Sequence, residues 1–283
     1  MTNQGIIKIN RKDKLTLEKA IGLPYYIILI GLVLIPVIVM VFYSVQESAS
    51  GLFSSRFTLS HYASFLSKVD FINVMINSIW LAVLATIITL LIAYPLALAV
   101  TKFKLVSQGL LVLLITGTMW INMILRTNAL VQIFSMIHAF TGVRLLETNL
   151  ASVIGMVYIF LPYMFLPIYT VLSKIDHSLI EAAEDLGANK YQVLKQVVIP
   201  LSLPGVTSGL TMVLLPAATT IAIPRYLGPT TKLMIGELIE NEALLSGKIN
   251  SASAIAILLS VIMILMLIGL KKIDRYKGSE KNA

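Results

Sequence analysis

Six long apolar runs constrain the fold of this chain more than any other feature of its sequence. They cover residues 21–45, 76–100, 109–125, 151–172, 203–223 and 252–270. A helix needs about 20 such residues to cross the hydrocarbon core of a bilayer. Only 13% of the 283 residues are charged, whereas a soluble domain carries about 25%. We therefore predict an all-α integral membrane protein with six transmembrane helices.

The Lys and Arg residues indicate how these runs are oriented. Cytoplasmic loops near the membrane retain positive charges, and most of the 22 Lys and Arg residues are cytoplasmic if both termini are. We predict a basic cytoplasmic N-terminus (residues 1–20), a transmembrane domain (21–270) and a basic cytoplasmic tail (271–283). This arrangement explains the net charge of +8 without a nucleic-acid partner. The first run is about twice as long as the roughly 7–15 residues of a signal-peptide core, which favours an uncleaved helix.

Several chemistries are excluded by what the sequence lacks. Cysteine is absent, which rules out disulfides and thiol catalysis. The chain has no Gly-x-x-x-x-Gly-Lys-Ser/Thr loop to hold nucleotide phosphates. His61, His138 and His177 stand far apart in sequence without a second ligand at metal-binding spacing, and no predicted span contains a histidine that could activate a serine. We expect no catalytic residue, no metal site and no cofactor in this chain.

Acidic residues are absent from all six predicted spans. Ion-coupled transporters commonly place ionisable groups near the bilayer centre. If this chain moves a solute uphill, we therefore expect the energy to come from another source.

A polar segment interrupts the apolar pattern between the fourth and fifth runs, in a predicted cytoplasmic loop covering residues 173–202. Residues 180–186 read as a short helix with acidic residues near its first turns, where negative charge suits the helix dipole. Gly187 is typical of a helix C-terminus. Residues 190–198 read as a second helical stretch, which we expect to stop at Pro200. The predicted arrangement is helix, break, helix.

This segment resembles the EAA loop of the permease subunits of ABC importers. Glu-Ala-Ala at 181–183, Gly187 three residues on and Val-Val-Ile-Pro at 197–200 match that pattern in spacing. Valine and isoleucine stand where the pattern has isoleucine and leucine. The resemblance implies a type I ABC importer permease fold in a bacterial cell membrane, crossed several times by the chain.

The resemblance also implies a role for the segment and a set of partners. In that family the loop forms a coupling helix that docks on a separate ATP-hydrolysing subunit, which binds ATP and Mg. The residues carried over as coupling contacts are Glu181, Ala182, Ala183, Asp185 and Gly187. The implied partners are two ATP-binding subunits, a second permease subunit and an extracytoplasmic substrate-binding protein.

Three further stretches resemble the spermidine/putrescine permeases. They are VYIFLPYMFLPIYTVLSKIDHSLIEAAEDLGA, WINMILRTNALVQIF and PRYLGPTTKLMIGELI. The resemblance implies a polyamine importer, while permeases for iron(III), sulfate and other solutes share parts of these patterns. An ion-coupled secondary transporter is the less favoured alternative, because the spans lack acids and the coupling loop is present.

A polycation should pass carboxylates and aromatic faces. Candidates for such a path, or for contact with the binding protein, are Glu237, Glu240, Glu242, Tyr94, Tyr158, Tyr163 and Tyr169. The first two glutamates are three residues apart and would share a helix face. A solvated loop face for the glutamates and interfacial anchoring for the tyrosines are the alternatives.

Arg126 fits a path for cations badly. We expect it to pair with a carboxylate, to cap a helix or to extend its charged head outward. Asn122, Asn128 and Gln132 surround it in the sequence and would form a polar patch with it.

Proline and glycine residues suggest where the helices bend and meet. Gly205 and Gly209 lie four residues apart at the start of the fifth run, a spacing that permits close helix approach. Prolines inside the runs are expected to kink the helices; they are Pro36, Pro95, Pro162, Pro167 and Pro216.

Overall fold

The computed structural model describes residues 11–47 and 56–279 of the chain. The regular secondary structure of that part is helical, apart from one isolated antiparallel bridge between Gln46 and Phe57. The helices are α1 (Arg11–Ser44), α2 (Ser60–Ser67), α3 (Val69–Val100), α4 (Leu105–Gly117), α5 (Met123–Thr141), α6 (Asn149–Leu172), α7 (His177–Asp185), α8 (Lys190–Val193), α9 (Ile199–Thr219), α10 (Ala222–Leu227), α11 (Ile235–Glu240) and α12 (Ile249–Ser279). A 3₁₀ turn (Thr118–Trp120) follows α4, and π turns follow α8 (Leu194–Val198) and α11 (Asn241–Leu245).

Five helical stretches of the described chain are long and apolar enough to cross a membrane. They are Val69–Val100, Met123–Thr141, Asn149–Leu172, Lys190–Thr219 and Ile249–Leu270. Two shorter apolar stretches, Ile28–Ser44 and Leu105–Trp120, accompany them. The prediction of an all-α chain with several apolar spans is confirmed.

The predicted terminal segments are only partly described. Residues 1–10 of the basic N-terminus lie outside the described residues, and α1 begins at Arg11. At the other end, α12 runs from Ile249 to Ser279. The helix therefore continues through most of the predicted basic tail (271–283) instead of ending at residue 270, and residues 280–283 lie outside the described part.

The third predicted run (109–125) does not form one helix. A 3₁₀ turn ends α4, Ile121 is extended, and α5 starts at Met123. The side chain of Asn122 caps this new start, because its Oδ1 accepts the N–H of Ile124 at 2.8 Å. The prediction was wrong here because the residues on both sides of the break are apolar, so hydropathy does not mark it.

The centre of the bundle is formed by α3, α6 and α9, which pack closely because small residues line the contacts. Association of helices in lipid depends on such packing, since lipid tails are as apolar as the side chains. The fully buried alanines of α3 are Ala82, Ala85, Ala93 and Ala97. A Cβ on Gly205 would lie 2.8 Å from the carbonyl oxygen of Pro167 in α6, and one on Gly209 would lie 2.7 Å from Met164 Sδ. The predicted close approach at these glycines is confirmed.

The two ends of the bundle carry different short helices. Helix α6 is 24 residues long, or about 36 Å at 1.5 Å per residue. Its last residue, Leu172, leads into α7, and we call this side the α7 end. Near its start, Gly155 lies against Leu227 of α10. Helix α11 packs at the same level, where Gly236 meets the last residue of α9, and we call this side the α11 end.

Candidate coupling surface and substrate path

The polar segment at the α7 end is built from two capped helices. Asp176 precedes α7, and its Oδ1 accepts the N–H of Ser178 at 3.0 Å. This backbone hydrogen bond lowers the pKa of Asp176, so the carboxylate stays charged at the positive end of the helix. The second helix begins at a capping box, in which Asn189 and Gln192 each accept the backbone N–H of the other at 2.9 and 2.8 Å.

Gly187 forms the break between these helices. Its φ is +86°, in the left-handed region that glycine adopts without steric cost. The carbonyls that α7 leaves unpaired are satisfied locally: Gly187 N–H donates to Glu184 O at 2.9 Å and Ala188 N–H donates to Ala183 O at 3.1 Å. The predicted helix, break, helix arrangement is confirmed.

The second stretch does not end at Pro200, so that part of the prediction was wrong. Helix α8 passes through the π turn Leu194–Val198 into α9 as one continuous rod. Ile199 N–H donates to Leu194 O, five residues back, which closes the π turn. Pro200 is the second residue of α9, directly after the π turn, so its missing N–H falls where the regular hydrogen-bond pattern is already interrupted.

The structure places the five predicted coupling residues on two sides of the segment. Glu181, Ala182, Asp185 and Gly187 are exposed. Ala183 is half-buried and packs against the core. Of the two alanines, only Ala182 therefore lies on the open face.

Exposed apolar residues accompany this open face, and the motif alone did not single them out. Leu186 is 90% exposed and Tyr191 is 69% exposed. They flank the break at Gly187 and lie outside the six apolar runs of the sequence. Large apolar groups exposed next to polar ones mark interaction sites. The available sequence signal was a leucine immediately before a helix-ending glycine.

The tyrosines proposed for the substrate path have separate surroundings. Tyr94 on α3 hydrogen-bonds Ser202 on α9, with 2.9 Å between the hydroxyl oxygens. Tyr163 makes an edge-to-face contact with Phe160 at 6.2 Å, and Tyr169 stacks on Phe165 at 5.6 Å. Tyr158 is 42% exposed.

Two of the predicted acidic residues share one cationic partner at the α11 end. Arg225 in α10 forms a two-pronged ion pair with Glu240, in which both terminal guanidinium nitrogens donate to the carboxylate. Its Nε lies 3.8 Å from Glu237 Oε1. The prediction that Glu237 and Glu240 share a helix face is confirmed by this common partner. Glu237 is buried, so it does not lie on a solvated loop face.

Burial dominates the electrostatics of Glu237. It raises the pKa of Glu237, although a hydrogen bond from Met234 N–H at 3.1 Å and the charge of Arg225 act in the opposite direction. The bond to Glu240 raises the pKa of Arg225. Both carboxylates are therefore already opposed by a positive charge from within the chain.

Glu242 belongs to a different contact. It lies in the π turn after α11, and its carboxylate is 3.9 Å from Lys248 Nζ. The backbone N–H of Lys248 also donates to Glu242 O at 2.8 Å. This pair ties the π turn to the start of α12.

Arg126 is buried between α5 and α6 with 4% of its surface exposed. One terminal nitrogen donates to Ile159 O at 3.4 Å, and its Nε has no hydrogen-bond partner. Among the described residues no carboxylate pairs with it. The expected outward extension was wrong, because α5 turns this side chain toward α6. Its bond to Ile159 lies inside α6, so it does not cap that helix, and a carboxylate partner stays a prediction. The expected polar patch does not form around Arg126. Asn122 caps α5, and Asn128 and Gln132 are at least partly exposed.

The described chain thus has several apolar spans that contact each other closely at small residues, and a capped helical pair at one end. These features define a multi-pass integral membrane protein, and the family comparison gives its class. Residues 17–276 match the family described as binding-protein-dependent transport system inner membrane component, and the chain belongs to this family.

Curated relatives cover most of the chain. It is 34% identical over 258 residues to the spermidine/putrescine transport system permease protein PotB of Haemophilus influenzae, covering 84% of this chain and 87% of the relative. It is 33% identical over 224 residues to the PotB protein of Escherichia coli K12, covering 75% and 81%.

Solved structures share the fold at lower identity. A bacterial ABC transporter that imports the acidic polysaccharide alginate contains a chain that superposes with a TM-score of 0.74 at 16% identity, covering 93% of this chain and 96% of that one. An inward-facing MetNI methionine ABC transporter gives a TM-score of 0.54 at 15% identity, covering 74% and 99%.

Proposed function

We propose that this chain is the permease subunit of an ATP-driven ABC importer for polyamines such as spermidine and putrescine. The observation that carries the proposal is the α7–Gly187–α8 segment, which exposes acidic and apolar groups between two core helices. A membrane helix pair has no need of such a segment for its own packing. A protein that must receive force from a soluble partner does need it.

The proposed topology has six spans with both termini in the cytoplasm. The third span then consists of α4 and α5 together, broken at Asn122, and α1 supplies the first. This topology puts the α7 end in the cytoplasm and the α11 end outside. It retains the basic N-terminus (1–20), the transmembrane domain (21–270) and the basic tail (271–283).

The exposed face of the coupling segment is the proposed docking surface for an ATP-hydrolysing subunit. Glu181, Ala182, Asp185 and Gly187 would contact that subunit, and Ala183 would hold α7 on the core. We add Leu186 and Tyr191, whose exposed apolar groups would lose water on docking. ATP and Mg would bind to the partner, since the chain lacks a phosphate-binding loop.

The polyamine assignment rests on the relatives. Glu237 and Glu240 would contact protonated amines only where a polyamine displaces Arg225 from them, and Tyr158 and Tyr163 would offer aromatic faces along the path. Glu242 would serve as a further outer contact for the binding protein. Arg126 argues against a path for cations lined by this chain alone.

The proposed assembly contains two ATP-binding subunits, a second and different permease, and an extracytoplasmic substrate-binding protein. The alginate transporter has been solved in complex with a periplasmic protein that carries a pentasaccharide. That complex supports the general arrangement, in which substrate is delivered from outside and crosses by alternating access.

Uptake by the assembled complex tests the proposal. Vesicles containing this chain and its co-purified partners are supplied with the binding protein, and uptake of labelled spermidine and putrescine is measured with and without ATP. Sulfate and iron(III) serve as competitors.

We expect uptake that needs both ATP and the binding protein and that only polyamines compete. Uptake driven by an ion gradient without ATP would refute the importer class and favour a secondary transporter. ATP-dependent uptake of sulfate or iron(III) in place of polyamines would refute the substrate and keep the coupling mechanism.

A further inference from the structure

A short chain of hydroxyl groups joins α3 to the base of the coupling segment. The hydroxyls of Tyr94 and Ser202 lie 2.9 Å apart, and Ser202 Oγ also donates to Ile199 O at 3.0 Å. A serine hydroxyl has one hydrogen. Because that hydrogen goes to Ile199, Tyr94 must be the donor to Ser202. The bonds run in one direction, from α3 through Ser202 into the backbone of α9.

The receiving end of this chain adjoins the π turn. Ile199 closes that turn through its N–H, which donates to Leu194 O, and Ser202 is fully buried one helical turn further along. Val193, just before the turn, and Val198, its last residue, are buried as well. Helix α7 packs on α8 and on the π turn, and a displacement of α8 reaches Ser202 along a continuous helix. A π turn is a frequent feature of functional sites in helices.

The same helix α3 has a second polar attachment at the opposite end of the bundle. Ser78 Oγ accepts the N–H of Ile235, the first residue of α11, at 2.8 Å. Ser78 and Tyr94 are 16 residues apart in one helix, which corresponds to about 24 Å along its axis. Helix α11 carries Glu237, so α3 links the coupling segment to the ion pairs that Arg225 forms with Glu237 and Glu240.

We propose that Tyr94 is a positioning residue for transport: its bond to Ser202 makes α3 move with the coupling segment, and Ser78 passes that movement to α11. This inference rests on the proposed function and reassigns Tyr94 from the substrate path to force transmission. Spatial proximity alone does not establish coupling between two ends of a protein, so the proposal needs a measurement of coupling.

The test uses Tyr94→Phe and Ser202→Ala in the assembled complex, singly and together. The chain offers a matched control at the far side of the bundle. Tyr62 donates to Ser44 at 2.7 Å, and Ser44 donates to Val41 O at 2.6 Å, so Tyr62→Phe breaks a bond of the same kind. Solute molecules transported per ATP hydrolysed are measured for every variant.

We expect Tyr94→Phe to transport fewer solute molecules per ATP, by at most about fivefold, because the free energy of one hydrogen bond changes the equilibrium between coupled and uncoupled states by that factor. The double variant should be no worse than either single variant, because the two residues act as a unit. Tyr62→Phe should match the wild type. An unchanged ratio in Tyr94→Phe, or additive losses in the double variant, would overturn the proposal.

A second readout separates transmission from simple loss of stability. The chain has no cysteine, so Leu244→Cys provides a single labelling site in the π turn after α11, where the leucine is 75% exposed. We expect the rate of labelling by a charged maleimide to change when ATP and vanadate trap the complex. Tyr94→Phe should abolish that change, and Tyr62→Phe should keep it.

The outcomes distinguish this inference from the function on which it rests. A wild-type complex that shows no ATP-driven uptake refutes the proposed function and this inference together. Normal wild-type uptake, with a labelling change that persists in Tyr94→Phe, refutes only the role of Tyr94.

Discussion

Replacing Gly187 by alanine should weaken docking of the ATP-hydrolysing subunit. The φ of +86° would cost an alanine about 1 kcal/mol. A Cβ there meets no atom within 4 Å, so backbone strain is the only penalty. The exposed segment can relax when it is free, and it must recover this turn to dock. The cost therefore appears in the docking equilibrium, as an affinity about fivefold lower.

The assay titrates the ATP-hydrolysing subunit against the permease pair in nanodiscs and records half-saturation of substrate-stimulated ATP hydrolysis. Gly142→Ala is the matched control, since Gly142, at the C-terminus of α5, has a φ of +74° and equally open surroundings. It should lower the stability of the permease without changing the concentration of ATP-hydrolysing subunit that gives half-saturation. Gly187→Asn should shift it less, because asparagine tolerates the left-handed region.

Two results would refute this reasoning: unchanged half-saturation in Gly187→Ala, or an equal shift in Gly142→Ala. A stronger perturbation is Gly187→Asp, which adds a negative charge beside Glu184 and Asp185. We expect it to abolish transport and substrate-stimulated hydrolysis while membrane insertion and abundance stay normal.

Three further substitutions and one control substitution test the packing and the buried charges by thermal unfolding in detergent. Gly205→Ala should destabilise the protein by about 1–3 kcal/mol, because the added Cβ would lie 2.8 Å from the backbone oxygen of Pro167. In the control Gly269→Ala, the added Cβ has no atom within 4 Å, so the substitution should be neutral or stabilising. Arg126→Met should be neutral or stabilising, by at most about 4 kcal/mol, since it removes a buried charge without a carboxylate partner. Marked destabilisation would mean that the hydrogen bond from Arg126 to the backbone of Ile159 contributes more than the buried charge costs. The stability of Glu237→Gln relative to the wild type should increase as pH rises from about 4.5 towards 7.5, because the wild type loses stability when Glu237 ionises through its raised pKa. A stability difference independent of pH would contradict this.

The sequence predicts best where a local pattern and the fold require the same thing. Residues 151–172 coincide almost fully with α6, since a long apolar run has no alternative in a bilayer. Gly187 breaks the coupling segment as predicted, because its left-handed backbone conformation favours glycine. Gly205 and Gly209 meet α6 as their spacing indicates.

The errors occur where a local pattern permits two structures. The break at Asn122 lies within apolar sequence, and only the capping bond reveals it. Pro200 is compatible both with the end of one helix and with the first turn of another, and the π turn before it selects the second. Neither outcome follows from hydropathy or residue preference.

Long-range polar contacts were beyond prediction for a different reason. Tyr94 and Ser202 are 108 residues apart, and Arg225 meets Glu237 and Glu240 only because α10 and α11 fold back on each other. Nothing in the neighbouring sequence of either residue identifies the partner. The residue types were informative, but their pairing depends on the tertiary arrangement.

The described charges suit the second permease that we propose. Three ion pairs lie within residues 225–248, at the α11 end or next to it, and the charge buried between α5 and α6 is the cation Arg126. A buried cation repels a polycation that comes near it in a medium of low dielectric constant. Under the proposed function, the carboxylates that face a polyamine at the level of Arg126 would come from the other permease, and the substrate site would belong to the pair.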